Sequence, residues 1–273
     1  MLNVFTLFCH GTGSHRTRTD KDVITEFGKL ASEQGYQDYL ILDGPGPAGG
    51  DGGSVLDAEN PLPGRFDPYT RPKVPKSRQE LVNAGFEGKS LKNPDFMSLK
   101  KSSNLRGGVG GSGWDDNVMH AIATISELDS LPSRINMIGW SRGAVTCTKT
   151  SYQLHDIYPQ IAVNIFSIDP VAGPWNKDKG DTSTIKENVR NYVATLMMSE
   201  KRTVMQPQDK ARMTISKMTN AIFLPFPGVH NTAVALRASE GEVAQVVWSI
   251  AYSFLTHFGS RFDAPFAPRY AGQ

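Results

Sequence analysis

Cysteine is scarce in this chain. Only Cys9 and Cys147 stand in 273 residues, too few for a disulfide framework, so a reducing compartment is the expectation. Long apolar runs are missing as well, and no stretch reaches the roughly 18 residues of a membrane span. Met1 to Phe8 lacks a basic start and a small-residue cleavage site, so no Sec signal peptide is read there. Synthesis in the cytoplasm is expected, and any export would need a specialised route. Neither an H-E-x-x-H pattern nor a paired cysteine spacing occurs, and no metal or other cofactor is expected. The glycine runs at 44–53 and 107–113 lack the lysine of a P-loop, which argues against nucleotide. A net charge of +2 does not call for a nucleic-acid partner. There is no internal repeat.

What remains is 39% apolar and 21% charged, the composition of a globular protein with a sizeable core. One domain over 1–273 is expected. Leu2 to Phe8 reads as a buried strand, Asp20 or Lys21 to Gln34 as a helix stopped by Gly35, and Tyr39 to Leu42 as a second strand. Strand, helix, strand favours a parallel sheet. Order then breaks down over 44–113, which is rich in proline and glycine. Such a stretch reads as an insertion over the sheet's catalytic edge, a lid. Its part 65–106 holds ten basic side chains against four acidic ones. The excess suits either a solvated loop or a face for anionic lipid headgroups. Trp114 to Leu128 returns to helical spacing, with Asp115 and Asp116 in its first turn. Ile161 to Ile168 and Val189 to Met197 read as strands, and 200–220 has no clear period. Glu242 to Leu255 closes as a helix with Val243, Val246, Val247, Ile250 and Phe254 as its buried stripe.

The chemistry centres on Gly139-Trp140-Ser141-Arg142-Gly143. The apolar run Ile135 to Ile138 precedes it and a helix-like stretch, Ala144 to Ile157, follows. Strand, G-x-S-x-G, helix is the pattern of a nucleophile elbow. The turn lifts the serine Oγ clear of the sheet. Gly139 and Gly143 must be tiny because strand and helix nearly touch there. The backbone N–H of Arg142 is then aimed at a developing oxyanion. The loop His10-Gly11-Thr12-Gly13, at the end of the first strand, suits the second oxyanion donor, an N–H of Gly11 or Thr12.

Serine needs a base, and the base needs an orienting group. In elbow enzymes the acid and then the histidine follow the serine in the chain. Asp169 stands directly after a strand and is the best-placed acid; Asp178, Asp181 and Asp209 are alternatives. His230 lies in Pro225-Phe226-Pro227-Gly228-Val229-His230-Asn231-Thr232, read as a rigid turn that presents one side chain. His257, near the end of the last helix, is the alternative base, and His155 sits in the helix after the elbow. His10 precedes Ser141 and is out of order. His15 and His120 have no constellation around them, and Cys147, inside a helix, reads as packing.

These residues resemble a branch of the α/β-hydrolases that includes bacterial phospholipase effectors delivered by type VI secretion. The chain is also similar to the α/β-hydrolase domain of multifunctional RTX toxins. The points of contact are Val4 to Phe8 with His10-Gly11-Thr12-Gly13, Gly108 to Ile122, Gly139 to Ala144 and Asp169 to Gly173. Glu200-Lys201-Arg202 with Met205-Gln206-Pro207, and Pro227 to His230, complete the set. His10 stands where the family often has aspartate, Trp140 replaces phenylalanine, and 44–106 finds no counterpart. The resemblance implies an α/β fold with a mostly parallel central sheet and helices on both faces. It implies Ser141 as nucleophile, Asp169 as orienting acid and His230 as base, acting on an acyl ester, above all that of a membrane phospholipid. For an effector it further implies delivery and immunity partners. A small soluble ester or thioester substrate, and a binding module without chemistry, are the competing readings.

Overall fold

In the computed structural model the described residues are 4–14, 22–33, 38–44, 114–126, 128, 130–173, 180–236 and 241–262. All of the expected insertion 44–113 but Gly44, its basic stretch included, lies outside them, as do His15, Gly35 and Asp178. The expected first strand is observed as β1 (Val4–Cys9), followed by α1 (Val23–Glu33) and β2 (Tyr39–Leu42). The chain then gives α2 (Trp114–Ser126), β3 (Arg134–Trp140), α3 (Arg142–Ile157) and β4 (Ala162–Ile168). After a short α4 (Gly180–Ser183) come β5 (Thr184–Ile185), β6 (Val189–Met197), β7 (Thr214–Ile215), β8 (Asn220–Phe226) and α5 (Gly241–His257).

Six strands form one sheet in the order β2-β1-β3-β4-β6-β8, and every pair is parallel. Parallel strands are covered on both faces, so they read as continuous apolar runs. Phe5, Leu7, Cys9, Ile135, Met137, Val163 and Ile165 face a core shared with α2 and α3. Phe8, Ile138, Phe166 and Ile168 face the core shared with α1 and α5. All strands point the same way, so the loops after β1, β3, β4, β6 and β8 meet at one edge. The order reverses between β1 and β3, the switch point at which open sheets place their ligands.

Register is marked by a polar ladder inside this apolar frame. Asn136, Asn164, Asn191 and Asn220 sit opposite one another on four neighbouring strands. Asn164 Nδ2 donates to Asn136 Oδ1 at 2.9 Å, and Asn191 Nδ2 donates to Asn164 Oδ1 at 2.8 Å. A one-residue slip would leave the buried amides of Asn136 and Asn164 unpaired, which costs about 1–3 kcal/mol for each orphaned group.

Two expectations need correction. The closing helix does not bury Val243, Val246, Val247, Ile250 and Phe254 as a stripe. Its buried line is Ala244, Val247, Ala251 and Leu255, while Val246 is 48% exposed. Alanines let the helix lie close to the sheet, and bulkier residues such as Phe254, tilted against Phe166 with ring centroids 5.5 Å apart, fill the flanks. The second is the turn expected from Pro225 onward: Pro225 and Phe226 instead close β8, an edge strand half-exposed along its length, and edge strands tolerate proline.

Candidate active site

The site grows from the tip of β3. Ser141 has φ 56° and ψ −121°, and its N–H still pairs with Ile168 O on β4 at 2.9 Å. Such a conformation costs of order 1–3 kcal/mol and persists only where the surroundings enforce it. The enforcement is steric. A Cβ on Gly139 would lie 2.4 Å from the Gly143 carbonyl, and one on Gly143 would lie 2.2 Å from Cys9 O and 2.5 Å from His10 O. Strand, turn and helix therefore close around Ser141 only with hydrogen at both positions.

Among the described residues, Ser141 and Asp169 are the non-glycine residues with positive φ. Asp169 follows β4 directly, with φ 43°. Its N–H donates to Thr195 O at 2.8 Å, and its Oδ1 accepts the Met197 N–H at 2.7 Å. The other oxygen, Oδ2, is 2.5 Å from His230 Nδ1. His230 begins a 3₁₀ turn, His230–Ala233, and is buried. Its Nε2 lies 2.8 Å from Ser141 Oγ. A carboxylate, an imidazole and a hydroxyl thus form one hydrogen-bonded line. Such a line holds the histidine in the tautomer that accepts the serine proton. Trp140 stacks on the His230 ring with centroids 5.2 Å apart. Its other neighbour is Gly11, where a Cβ would meet the indole at 2.5 Å.

The Gly11–Thr12 loop is pinned from both sides. Gly44 packs against it so closely that a Cβ there would overlap Gly11 O, and Arg142 Nη1 donates to Thr12 Oγ1 at 2.7 Å. The guanidinium of Arg142 is largely buried, which lowers its affinity for the proton. His10, preceding this loop, is buried with its Nδ1 3.6 Å from Asp22 Oδ2. Asp22 also accepts the Thr25 N–H at 2.6 Å. Burial pushes the Asp22 carboxyl up, but His10 and Thr25 outweigh it and hold it below its ordinary value.

The remaining candidates are engaged elsewhere. Asp181 pairs with Lys149 at 2.7 Å, and Asp209 caps a 3₁₀ turn through the Ala211 and Arg212 amides. His155 sits between Asp156 and Glu187. His257 is exposed and meets Phe258 edge-on. His120 is buried in α2. Cys147 and Cys9 are both buried, and burial, with Cys147 alongside, pushes the Cys9 thiol well up. Among the described residues no group of three or more His, Cys, Asp or Glu could hold a metal ion. No described helix is long and apolar enough to cross a membrane.

Four participants escaped the sequence reading. The Met197 N–H and the Trp140 stack have no sequence signal. Asp22 and Glu200 look like ordinary surface acids in sequence, although the Glu200-Lys201-Arg202 resemblance had drawn notice to the latter. Glu200 is in fact buried, and it accepts the His230 N–H at 3.2 Å.

No family model matches the chain, and no curated protein matches it. Solved structures do. An uncharacterized protein from Pseudomonas aeruginosa is similar with a TM-score of 0.53 and 13% identity, over 96% of this chain and 47% of that one. The chain therefore spans about half the length of that protein. The apo form of Thermogutta terrifontis esterase 2 matches with a TM-score of 0.34 and 16% identity, over 56% of this chain and 65% of its own. The butyrate-bound form of that thermophilic enzyme gives 0.36 and 15%, over 56% and 66%. Only the first of these likenesses bears on the fold, and on nothing else. The wholly parallel six-stranded sheet, with helices on both of its faces, makes this an α/β fold.

Proposed function

We propose that this protein is a serine hydrolase of carboxylic esters, with Ser141 as nucleophile, His230 as general base and Asp169 as the group that orients it. One observation carries the reading: Ser141 Oγ, His230 and Asp169 stand in a continuous hydrogen-bonded line at the tip of a strained strand-to-helix turn. Ser141 Oγ attacks the ester carbonyl as His230 Nε2 takes its proton. Asp169 steadies the imidazolium that results. The oxyanion is received by the Arg142 N–H and an N–H of Gly11 or Thr12, donors worth about 2.7–4 kcal/mol each in comparable sites. The tetrahedral species collapses, His230 returns the proton to the leaving alcohol, and an acyl-serine remains. Water, deprotonated by the same histidine, then releases the acid.

The substrate class implied by the motif resemblance is the acyl ester of a membrane phospholipid. The surplus of cations over 65–106 favours an anionic surface, each contributing at best about 1 kcal/mol near the membrane. The same resemblance extends the proposal to an exported effector with a cognate immunity protein. A fluorophosphonate probe followed by peptide mass analysis tests the chemistry, and labelling is expected on Ser141. An unlabelled protein would leave a binding module on a hydrolase-like fold. Turnover of anionic phospholipid vesicles against a short-chain soluble ester tests the substrate. Turnover confined to the soluble ester would replace the phospholipase reading with a small-ester one.

A further inference from the structure

Glu200 places a charge where carboxylates are rarely found. Its side chain is 3% exposed, yet both oxygens are fully engaged. Oε1 accepts the Arg202 N–H and the Arg202 Nε–H, each at 2.8 Å. Oε2 accepts Arg202 Nη2 at 2.7 Å and the backbone N–H of His230 at 3.2 Å. Its own carbonyl accepts Gln206 Nε2 at 2.5 Å. The segment carrying it runs beside the His230 loop, with Met198 N–H bonded to Phe226 O at 3.0 Å and Ser199 N–H bonded to Gly228 O at 2.9 Å.

The His230 N–H opens a 3₁₀ turn, and the first N–H groups of any helical turn have no partner within it. The approach to that turn is Gly228, at φ +114°, a residue that does not itself stiffen the chain. Val229 and Thr232 tie the turn to itself, but the His230 N–H takes its partner from outside it. We infer that Glu200 is a positioning residue for the base: its buried carboxylate, forked by Arg202, holds the His230 backbone so that the ring meets both Ser141 and Asp169. This rests on reading His230 as the base. Arg202 lends its guanidinium from the half-exposed side. Its hydrogen bonds first, and the His230 N–H after them, outweigh burial and hold the Glu200 carboxyl at about 2. The acceptor therefore stays ionised at any working pH. The fork also immobilises it, since bidentate arginine–carboxylate pairing fixes orientation as well as distance.

A shift of about 1 Å in a catalytic group can cost about 100-fold in rate. Glu200→Ala should lower kcat about 10- to 100-fold, on that scale, and leave KM within about twofold. Glu200→Gln, whose amide oxygen can still accept the His230 N–H, should recover most of the loss. Lys201→Ala, on the exposed neighbour, should match the wild type. The second readout is the low-field proton resonance of His230 Nδ1–H, shared with Asp169, which should broaden or move in Glu200→Ala and return in Glu200→Gln. Wild-type kcat and an unmoved resonance in a folded Glu200→Ala would overturn the inference. So would equal losses in the alanine and glutamine variants, which would tie the effect to charge and not to the acceptor. Should Glu200→Ala fail to fold, Arg202→Met, which frees the carboxylate without removing it, should lower kcat several-fold, and an unchanged kcat there overturns the inference. A wild type that takes up no fluorophosphonate sinks the hydrolase reading instead, while the proton resonance still reports on Glu200 and His230.

Discussion

Ser141 sits at the tip of a central strand, and His230 sits on a loop after the edge strand. The two are held in different ways. The serine is fixed by backbone alone: Gly139 and Gly143 leave no room for a Cβ, β4 takes its N–H, and α3 starts at the next residue. It cannot move without opening the middle of the sheet. The histidine hangs from β8, which is paired on one side and half-exposed. Its place depends on side chains from elsewhere, Asp169 from β4 and Glu200 from the segment after β6. Exposed apolar side chains, Met198 and Val229, flank that loop. The Ser141 arm is rigid by construction, whereas the His230 arm is held by a few side-chain bonds.

The comparison can be broken first at the chemistry. Ser141→Ala and His230→Ala should each cut ester turnover by about four orders of magnitude or more, and the double variant should be no worse, because members of one catalytic unit do not add. Turnover assays with circular dichroism check this. Losses that multiply in the double variant would mean the two arms do not work together.

Stability sharpens the contrast next. Gly143→Ala drives a Cβ into backbone carbonyls 2.2 and 2.5 Å away, which cannot yield, and should cost about 3 kcal/mol, at the upper end of overpacking. Gly228→Ala meets the Thr232 side chain at 2.8 Å and a φ of +114°, and should cost about 1–2 kcal/mol of backbone strain. Urea midpoints measure both. Equal losses would erase the distinction between a rigid and an adjustable arm.

Acid should act on the base arm. The folded Glu200 carboxyl lies at about 2 against an ordinary 4.5, so below 4.5 the unfolded chain binds the proton that the folded one refuses. The contribution is complete above pH 4.5 and is lost as pH falls through 2. Urea midpoints followed over that window should fall less steeply in Glu200→Gln. Parallel curves for the two proteins would remove Glu200 from the acid response. The smallest effect is expected at His257. It is exposed and far from the line, and His257→Ala should leave turnover unchanged and stability within about 0.5 kcal/mol.

Much of the frame was legible because central parallel strands announce themselves. Ile135 to Ile138, Ile161 to Ile168 and Val189 to Met197 are apolar runs because both of their faces are covered. β8 was not legible, since an edge strand has one exposed face and can carry Pro225. The facing of α5 was misjudged because periodicity weights large residues, and the closest packing there is made by Ala244 and Ala251. At the site, Asp169 and His230 stood out through their order after Ser141 and their place after strands. Only the resemblance at Glu200-Lys201-Arg202 singled out Glu200, and it did not show that the side chain is buried, because burial of a charge is decided by what packs over it.

The sequence by itself determined the elbow. Two glycines around a serine, between an apolar strand and a helix, can close into few other shapes, and that requirement is local. Only the tertiary structure decided what meets Ser141. His230 is 89 residues away from it, and Asp169, which lies between them in the chain, is 61 from His230. No local rule spans such distances. They meet because every strand of a parallel sheet delivers its following loop to the same edge, and because Glu200, after β6, holds the loop after β8 against that edge.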